Sequence, residues 1–225
     1  MAALPDLPQT EIAIVEMTNA FRKDNRFGAV KPNAALAAAA RAFAEYLART
    51  GKFAHAADGR EPHERAVAQG YRYCLVAENL ALNLDSRGFE TRKLARDVVE
   101  GWKASPGHRA NLLQAGATEI GVAVVRAPHR NPKYISVQLF GRPESLKVTF
   151  SIENRAGAAV TYILGEETHE LPAGATVTHT SCEPEALTFE AAATQRHEPR
   201  SGDRYLVRSQ GAAVLVEVRR GSQPR

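Results

Sequence analysis

Three side chains in this 225-residue chain stand in surroundings that suit chemistry. His55 lies in Lys52-Phe53-Ala54-His55-Ala56-Ala57-Asp58-Gly59, a turn-like stretch where an imidazole can face a cleft. Glu78 lies in Val76-Ala77-Glu78-Asn79-Leu80-Ala81, a polar pair enclosed by small apolar residues. A carboxylate in such a place must be paired, hydrogen-bonded or functional. His108 falls in Ser105-Pro106-Gly107-His108-Arg109-Ala110-Asn111-Leu112-Leu113, in the first turns of a short helix. Two neutral imidazoles are good ligands for zinc and leave positions open for water. A glutamate beside such a water is a possible general base. The spacing alone does not bring these residues together, because nothing here is a local signature such as HExxH. A His–Glu–His network that only ties loops to a core would use the same residues, and both readings stay open. The other histidines, His63, His129, His169, His179 and His197, read as surface or hydrogen-bonding residues.

The elements that must position these groups follow from the pattern of apolar residues. Thr10 is placed to cap a first helix with Ile14, Met17 and Phe21 on one face. Asn33 is placed to cap a second, whose stripe of Leu36, Ala40, Phe43 and Leu47 stops at Gly51. Pro62 suits the first turn of a short helix ending at Gly70. Leu94, Val98 and Trp102 mark another amphipathic helix, after which Ser105-Pro106 reads as an N-cap and first helical position. Only then do strands appear, with Ile120, Val122 and Val124 alternating and Ile135, Val137 and Leu139 doing so again. Helices early and antiparallel strands late predict an α+β layered domain over residues 1–143.

The chemistry of the sequence changes near Gly141-Arg142-Pro143. Leu146, Val148, Phe150 and Ile152 alternate, and a turn signal follows at Asn154-Arg155-Ala156-Gly157. Short strands fit Val160 to Leu164, Ala186 to Glu190, Arg204 to Val207 and Val214 to Val218. Residues 144–225 therefore read as a small all-β, sandwich-like domain.

Composition bounds the function. Hydrophobic residues make up 44% and charged residues 24%, ordinary for a globular protein. No run approaches the roughly 18 apolar residues of a membrane helix. Residues 1–143 carry 20 Lys and Arg against 14 Asp and Glu, and the remainder 9 against 11. The front domain is mildly basic, but it has no basic cluster interleaved with aromatics and no nucleic-acid motif, so nucleic acid is not an expected partner. Cys74 and Cys182 are too few for a disulfide framework and are expected as free or buried thiols. The N-terminal MAALPDLPQTE shows neither a basic leader nor an apolar segment. That suits either a cytosolic protein or one whose leader has been removed.

The series from His55 through Gly59 and Arg60, Gly70-Tyr71, Ala77-Glu78-Asn79-Leu80-Ala81, Gly101-Trp102 to Leu113, Thr118-Glu119-Ile120-Gly121-Val122 and Tyr134 to Gly141 resembles the bacterial branch of the CAP superfamily. That superfamily takes in cysteine-rich secretory proteins, antigen 5 and plant pathogenesis-related proteins of group 1. The resemblance covers about residues 10–142, and Ser105 to Leu113 is its most specific piece. It implies an α-β-α sandwich with a central antiparallel sheet and a cleft where two histidines and acidic residues hold a divalent cation, often zinc. His55 and His108 match the family's pair, and Glu78 its first acid. The second acid follows the tryptophan by three positions in eukaryotic members; here that place is Ser105, leaving Glu119 as the alternative carboxylate. Asn79, Asp58 or backbone groups are candidates to orient the imidazoles. The family tips localisation toward extracytoplasmic, with a removed leader.

Three functions compete on this basis. The first is a secreted module whose cleft binds a metal and a small, lipid-like or cell-wall ligand. The second is a metal-assisted hydrolase with Glu78 as base, and the third a purely structural or interaction protein. No nucleophile motif such as GxSxG appears, and Ser105 is better explained as a helix cap, which favours binding over catalysis. The C-terminal domain is expected to bind protein or wall material.

Overall fold

A computed structural model describes residues 3–183, 185–192, 195–211 and 213–221. The leader question turns on Met1 and Ala2 and what precedes them, outside the described residues. The chain divides into two compact units, Met1–Glu144 and Ser145–Arg225.

In the first unit, helix α1 (Leu7–Asp24) starts from Asp6, whose carboxylate accepts from the Gln9 amide at 3.0 Å. Thr10, expected as the cap, instead lies buried one turn in, its hydroxyl donating to the Asp6 carbonyl at 2.7 Å. Asp6, with Pro8 in the first turn behind it, wins because it also complements the positive end of the helix. A two-residue strand β1 (Lys31–Pro32) leads into α2 (Ala34–Thr50). Asn33 caps α2 by accepting from the amides of Ala35 and Leu36, and Gly51 ends it with a left-handed φ of 70°. Helix α3 (Pro62–Ala68) follows, then strand β2 (Tyr73–Leu84), helices α4 (Thr91–Ala104) and α5 (Pro106–Leu112), and strands β3 (Glu119–Ala127) and β4 (Lys133–Pro143). Among these residues no helix is long and apolar enough to cross a membrane.

The sheet runs β1-β3-β4-β2, antiparallel except for the short β1–β3 pair. Its strands alternate sides. Leu80, Ala123, Val125, Val137 and Leu139 pack with Leu36, Phe43, Leu47 and Ala66 of α2 and α3. Ile120, Val122, Val124, Tyr134 and Phe140 pack with Ile14, Leu94, Val98, Trp102 and Leu112 of α1, α4 and α5. This is an α-β-α sandwich, as expected. Strand β2 was not expected, since strands were read only after the last helix. It is the strand that carries Glu78 and Asn79.

The second unit is all-β. Strands β5 (Val148–Asn154), β6 (Val160–Leu164), β7 (Glu167–Leu171), β8 (Thr176–Ser181), β9 (Leu187–Phe189), β10 (Arg196–His197), β11 (Arg204–Gln210) and β12 (Ala213–Arg219) form two four-stranded sheets, β10-β9-β6-β7 and β12-β11-β5-β8. Phe150, Ile152, Tyr162, Leu187, Phe189, Tyr205 and Val207 fill the core between them. The sandwich reading holds, although β7, β8 and the two-residue β10 escaped it.

The expectation of free thiols is corrected: Cys74 and Cys182 are disulfide-bonded, and no described cysteine is free. A count of two argued only against a framework of several bridges.

Two features generate predictions. The backbone of α2 crosses β3 at Gly121, where an added Cβ would stand 2.2 Å from the Leu36 carbonyl carbon. Gly121→Ala must push helix from sheet and is expected to cost about 1–3 kcal/mol, read as a lower denaturant midpoint for the first unit. In the second unit, burial holds the His179 and His197 imidazoles below the ordinary histidine range, helped by the neighbouring His169 and Arg220 charges respectively. The unfolded chain takes up these protons as pH falls through about 6.5, whereas the folded rings resist until lower pH. Their contribution is therefore full at pH above about 6.5 and drains away below it. Hydrogen-exchange protection of β5 and β11 should fall between pH 7.5 and 5.5, and fall less in His179→Gln/His197→Gln.

Candidate functional site

Glu78 sits on β2, the edge strand of the first sheet, opposite Leu139 of β4. Its side chain is 1% exposed, and both carboxylate oxygens are committed. Oε1 meets His55 Nδ1 at 2.8 Å, and Oε2 accepts from Arg65 Nη2 at 2.8 Å. Burial pushes the carboxyl above the ordinary range, while the Arg65 charge and the hydrogen bonds from His55 and Arg65 pull it back.

Arg65 belongs to α3 and is itself only 5% exposed. Its Nη1 donates to Asp58 Oδ1 at 2.9 Å and to the Arg60 carbonyl at 2.6 Å. Its guanidinium lies over the Phe43 ring, 3.6 Å from the centroid, so the face without hydrogen-bond partners rests on a π cloud. The segment between α2 and α3, which carries His55, is held to the helices by this one side chain. Tyr46 adds a bond from its hydroxyl to the Ala57 carbonyl at 2.9 Å.

Asn79, the next residue of β2, points to the opposite face by the period of the strand. It is fully buried and donates to the His108 carbonyl at 3.2 Å and to Gln138 Oε1 at 3.0 Å. Asn111 Nδ2 donates to Asn79 Oδ1 and to the Glu78 carbonyl, both at 2.9 Å. Gln138 Nε2 donates to Thr18 Oγ1 at 3.0 Å. An amide chain thus runs from α1 through β4 and β2 to α5 and fixes the backbone of His108. The imidazole of His108 has no hydrogen bond among the described residues, so both ring nitrogens are unspent. Burial, and then the charge of His55, hold it below the ordinary histidine range.

The other sequence candidates go elsewhere. Ser105 occupies the N-cap position of α5 as read, but its side chain makes no cap bond; the carbonyl accepts from the Arg109 amide at 2.8 Å. Glu119 accepts from Asn33 Nδ2 at 3.2 Å and from the Tyr71 hydroxyl at 2.6 Å, and makes no hydrogen bond to either histidine. Asp58 acts on His55 only through Arg65 and Glu78. Arg65, Gln138 and Thr18 were not singled out from sequence, because a lone arginine in a charged helix or a single glutamine in a strand carries no local signal.

A metal here has to rely on imidazole. Among the described residues no group of three or more His, Cys, Asp or Glu is arranged to hold a cation. The donor set still fits a two-histidine site: with Nδ1 on Glu78, His55 presents Nε2, the arrangement a carboxylate imposes on a ligating imidazole.

The profile of the cysteine-rich secretory protein family, CAP, matches residues 15–140, more than half of the chain. The chain belongs to the CAP family. The uncharacterised protein YkwD of Bacillus subtilis (strain 168) is 29% identical over 118 residues, which are 52% of this chain and 43% of that protein. The match thus spans less than half the length of that relative. An outer surface protein of Borrelia burgdorferi superposes with a TM-score of 0.51 at 21% identity, over 60% of this chain and 93% of its own. An extracellular SCP-domain protein of Bacillus anthracis superposes with a TM-score of 0.49 at 21% identity, covering 60% of this chain and 41% of its own. The CAP domain therefore accounts for the first unit.

If Arg65 neutralises Glu78, removing it strands a buried carboxylate. Arg65→Met is expected to destabilise the CAP domain by about 3–5 kcal/mol in urea unfolding. The double variant Arg65→Met/Glu78→Gln should recover part of that loss, because the buried carboxylate is removed together with its counter-charge. Equal stability of the single and double variants would mean that the pair is not coupled.

Proposed function

We propose that this CAP domain is a binding module of an extracytoplasmic protein. Its cleft takes a divalent cation through His55 and His108, and the cation presents open positions to a small ligand. One observation carries the reading: a buried carboxylate engages His55 through Nδ1 and leaves its Nε2 unspent, while the His108 ring makes no hydrogen bond among the described residues. With two protein nitrogens the affinity is modest, and it falls with pH as protons compete for the rings.

The hydrolase reading is weaker. A general base must reach a water, and Glu78 is shut from solvent with both oxygens engaged. A purely structural network is the second reading, favoured by the Asn79, Asn111 and Gln138 chain that needs no ligand. A lipid-like ligand finds support in an apolar groove of about 480 Å³ lined by Ile12, Val15, Pro32, Ala34, Ile120 and Val122. The family's description as secretory proteins and the surface location named for the Borrelia relative support an extracytoplasmic setting. In this reading the β-sandwich unit attaches the protein to wall material or to another protein.

Calorimetric zinc titration at about pH 7.5 tests the proposal. The wild type should show saturable one-site binding, lost in His55→Ala/His108→Ala with little change in thermal stability. No binding by the wild type, together with strong destabilisation of the double variant, would leave the structural network instead.

A further inference from the structure

The arginine that holds Glu78 also lines a second cavity. Between α2 and α3 lies a polar concavity of about 330 Å³, with Phe43 and Tyr46 among its lining residues. The small side chains of Ala39, Ala42 and Ala68 leave the room for it. Its charge is one-sided. Arg49, Arg60 and Arg65 all line it, against Asp58 as the one carboxylate among the lining residues. Asp58 Oδ1 accepts from Arg65 Nη1 at 2.9 Å and from the Arg60 amide at 3.2 Å.

Arg49 and Arg60 differ from several other exposed arginines of the chain. Arg72, Arg87, Arg155 and Arg219 each sit within 3.0 Å of a carboxylate. The guanidinium groups of Arg49 and Arg60 have no carboxylate partner among the described residues; that of Arg49 lies over the Tyr46 ring, 5.7 Å from its centroid. Two guanidinium forks without ion pairs, lining a concavity with an aromatic wall, match the oxygens of a phosphate group. The alanines and rings suit the apolar body of its ester.

We propose that this cavity is a phosphate site, with Arg49 and Arg60 donating to the oxygens. The site is separate from the His55 and His108 cleft, needs no metal, and stands or falls without it. Two sources share the chemistry: a soluble phosphate monoester and the headgroup of an anionic phospholipid.

The test uses the full chain, freed of metal, at about pH 7.5. Calorimetry with inorganic phosphate and with phenyl phosphate should give saturable one-site binding, tighter for the ester. Arg49→Gln/Arg60→Gln should weaken it by at least about tenfold, the loss expected when charge-assisted bonds go. Neither residue holds an ion pair in the fold, so the thermal midpoint of this variant should match the wild type. Sedimentation with phosphatidylglycerol vesicles separates the sources. Vesicle binding lost in the double variant assigns the lipid headgroup, and phosphate binding without vesicle binding assigns a soluble ester. Absence of saturable phosphate binding, or equal affinity in the double variant, overturns the proposal.

Discussion

The first unit is organised around one buried negative charge. A carboxylate moved out of water costs several kcal/mol unless a counter-charge and hydrogen bonds come with it. Glu78 satisfies that demand twice, through Arg65 and through His55. Arg65 is then a buried charge with the same requirement. It is met by Asp58, by the Arg60 carbonyl and by the face of Phe43. Each step recruits another part of the chain. The segment after α2, helix α3 and the edge strand β2 are thereby locked in one arrangement. Such a network adds little net stability compared with an apolar core, but it has few alternative solutions.

The two halves of the site lie on adjacent residues for a reason set by strand geometry. Successive side chains of β2 face opposite layers, so Glu78 reaches α3 while Asn79 reaches α5. The histidine brought by each layer is fixed differently. His55 is held by its ring, through Nδ1, and His108 by its backbone, through Asn79. Because β2 is an edge strand, nothing in the sheet lies beyond it to separate the two layers. The half-exposed ring of His55, at 52%, is what that open edge permits.

How much of this was legible follows from how far each signal reaches along the chain. The caps at Asn33 and Gly51 and the stripe of α2 were readable because a helix is determined within a few residues. The alternation of β3 and β4 was readable because one side chain in two is strongly apolar. Strand β2 was not. Glu78, Asn79 and Asn83 interrupt its apolar residues, and the first two are the polar groups that hold the site. Strands β7 and β8, read as Glu-Thr-His-Glu-Leu and Thr-Val-Thr-His-Thr-Ser, hide for a related reason. Each is an edge strand with many polar side chains. His55, Glu78 and His108 were recognisable through resemblance to a family. Arg65, which makes the burial of Glu78 possible, had no local feature to set it apart, since a pairing across helix and sheet leaves no spacing rule in the sequence.

The charge balance of the cleft bears on what it can hold. Arg65 is shared between Glu78 and Asp58, which leaves their network one negative charge, and His108 is kept below the ordinary histidine range, so on the proposed reading a divalent cation meets nitrogen donors and less than its full counter-charge. An ion bound there brings charge that the protein leaves partly uncompensated. Its open positions then favour anionic oxygens over neutral water, because an anion is the missing partner in a partly buried setting. A site built this way depends on its ligand for its own neutrality. That is a poor design for a resident hydrolytic metal, which needs a free base and a tightly held ion. It is a workable one for a module in which metal and anionic ligand bind together.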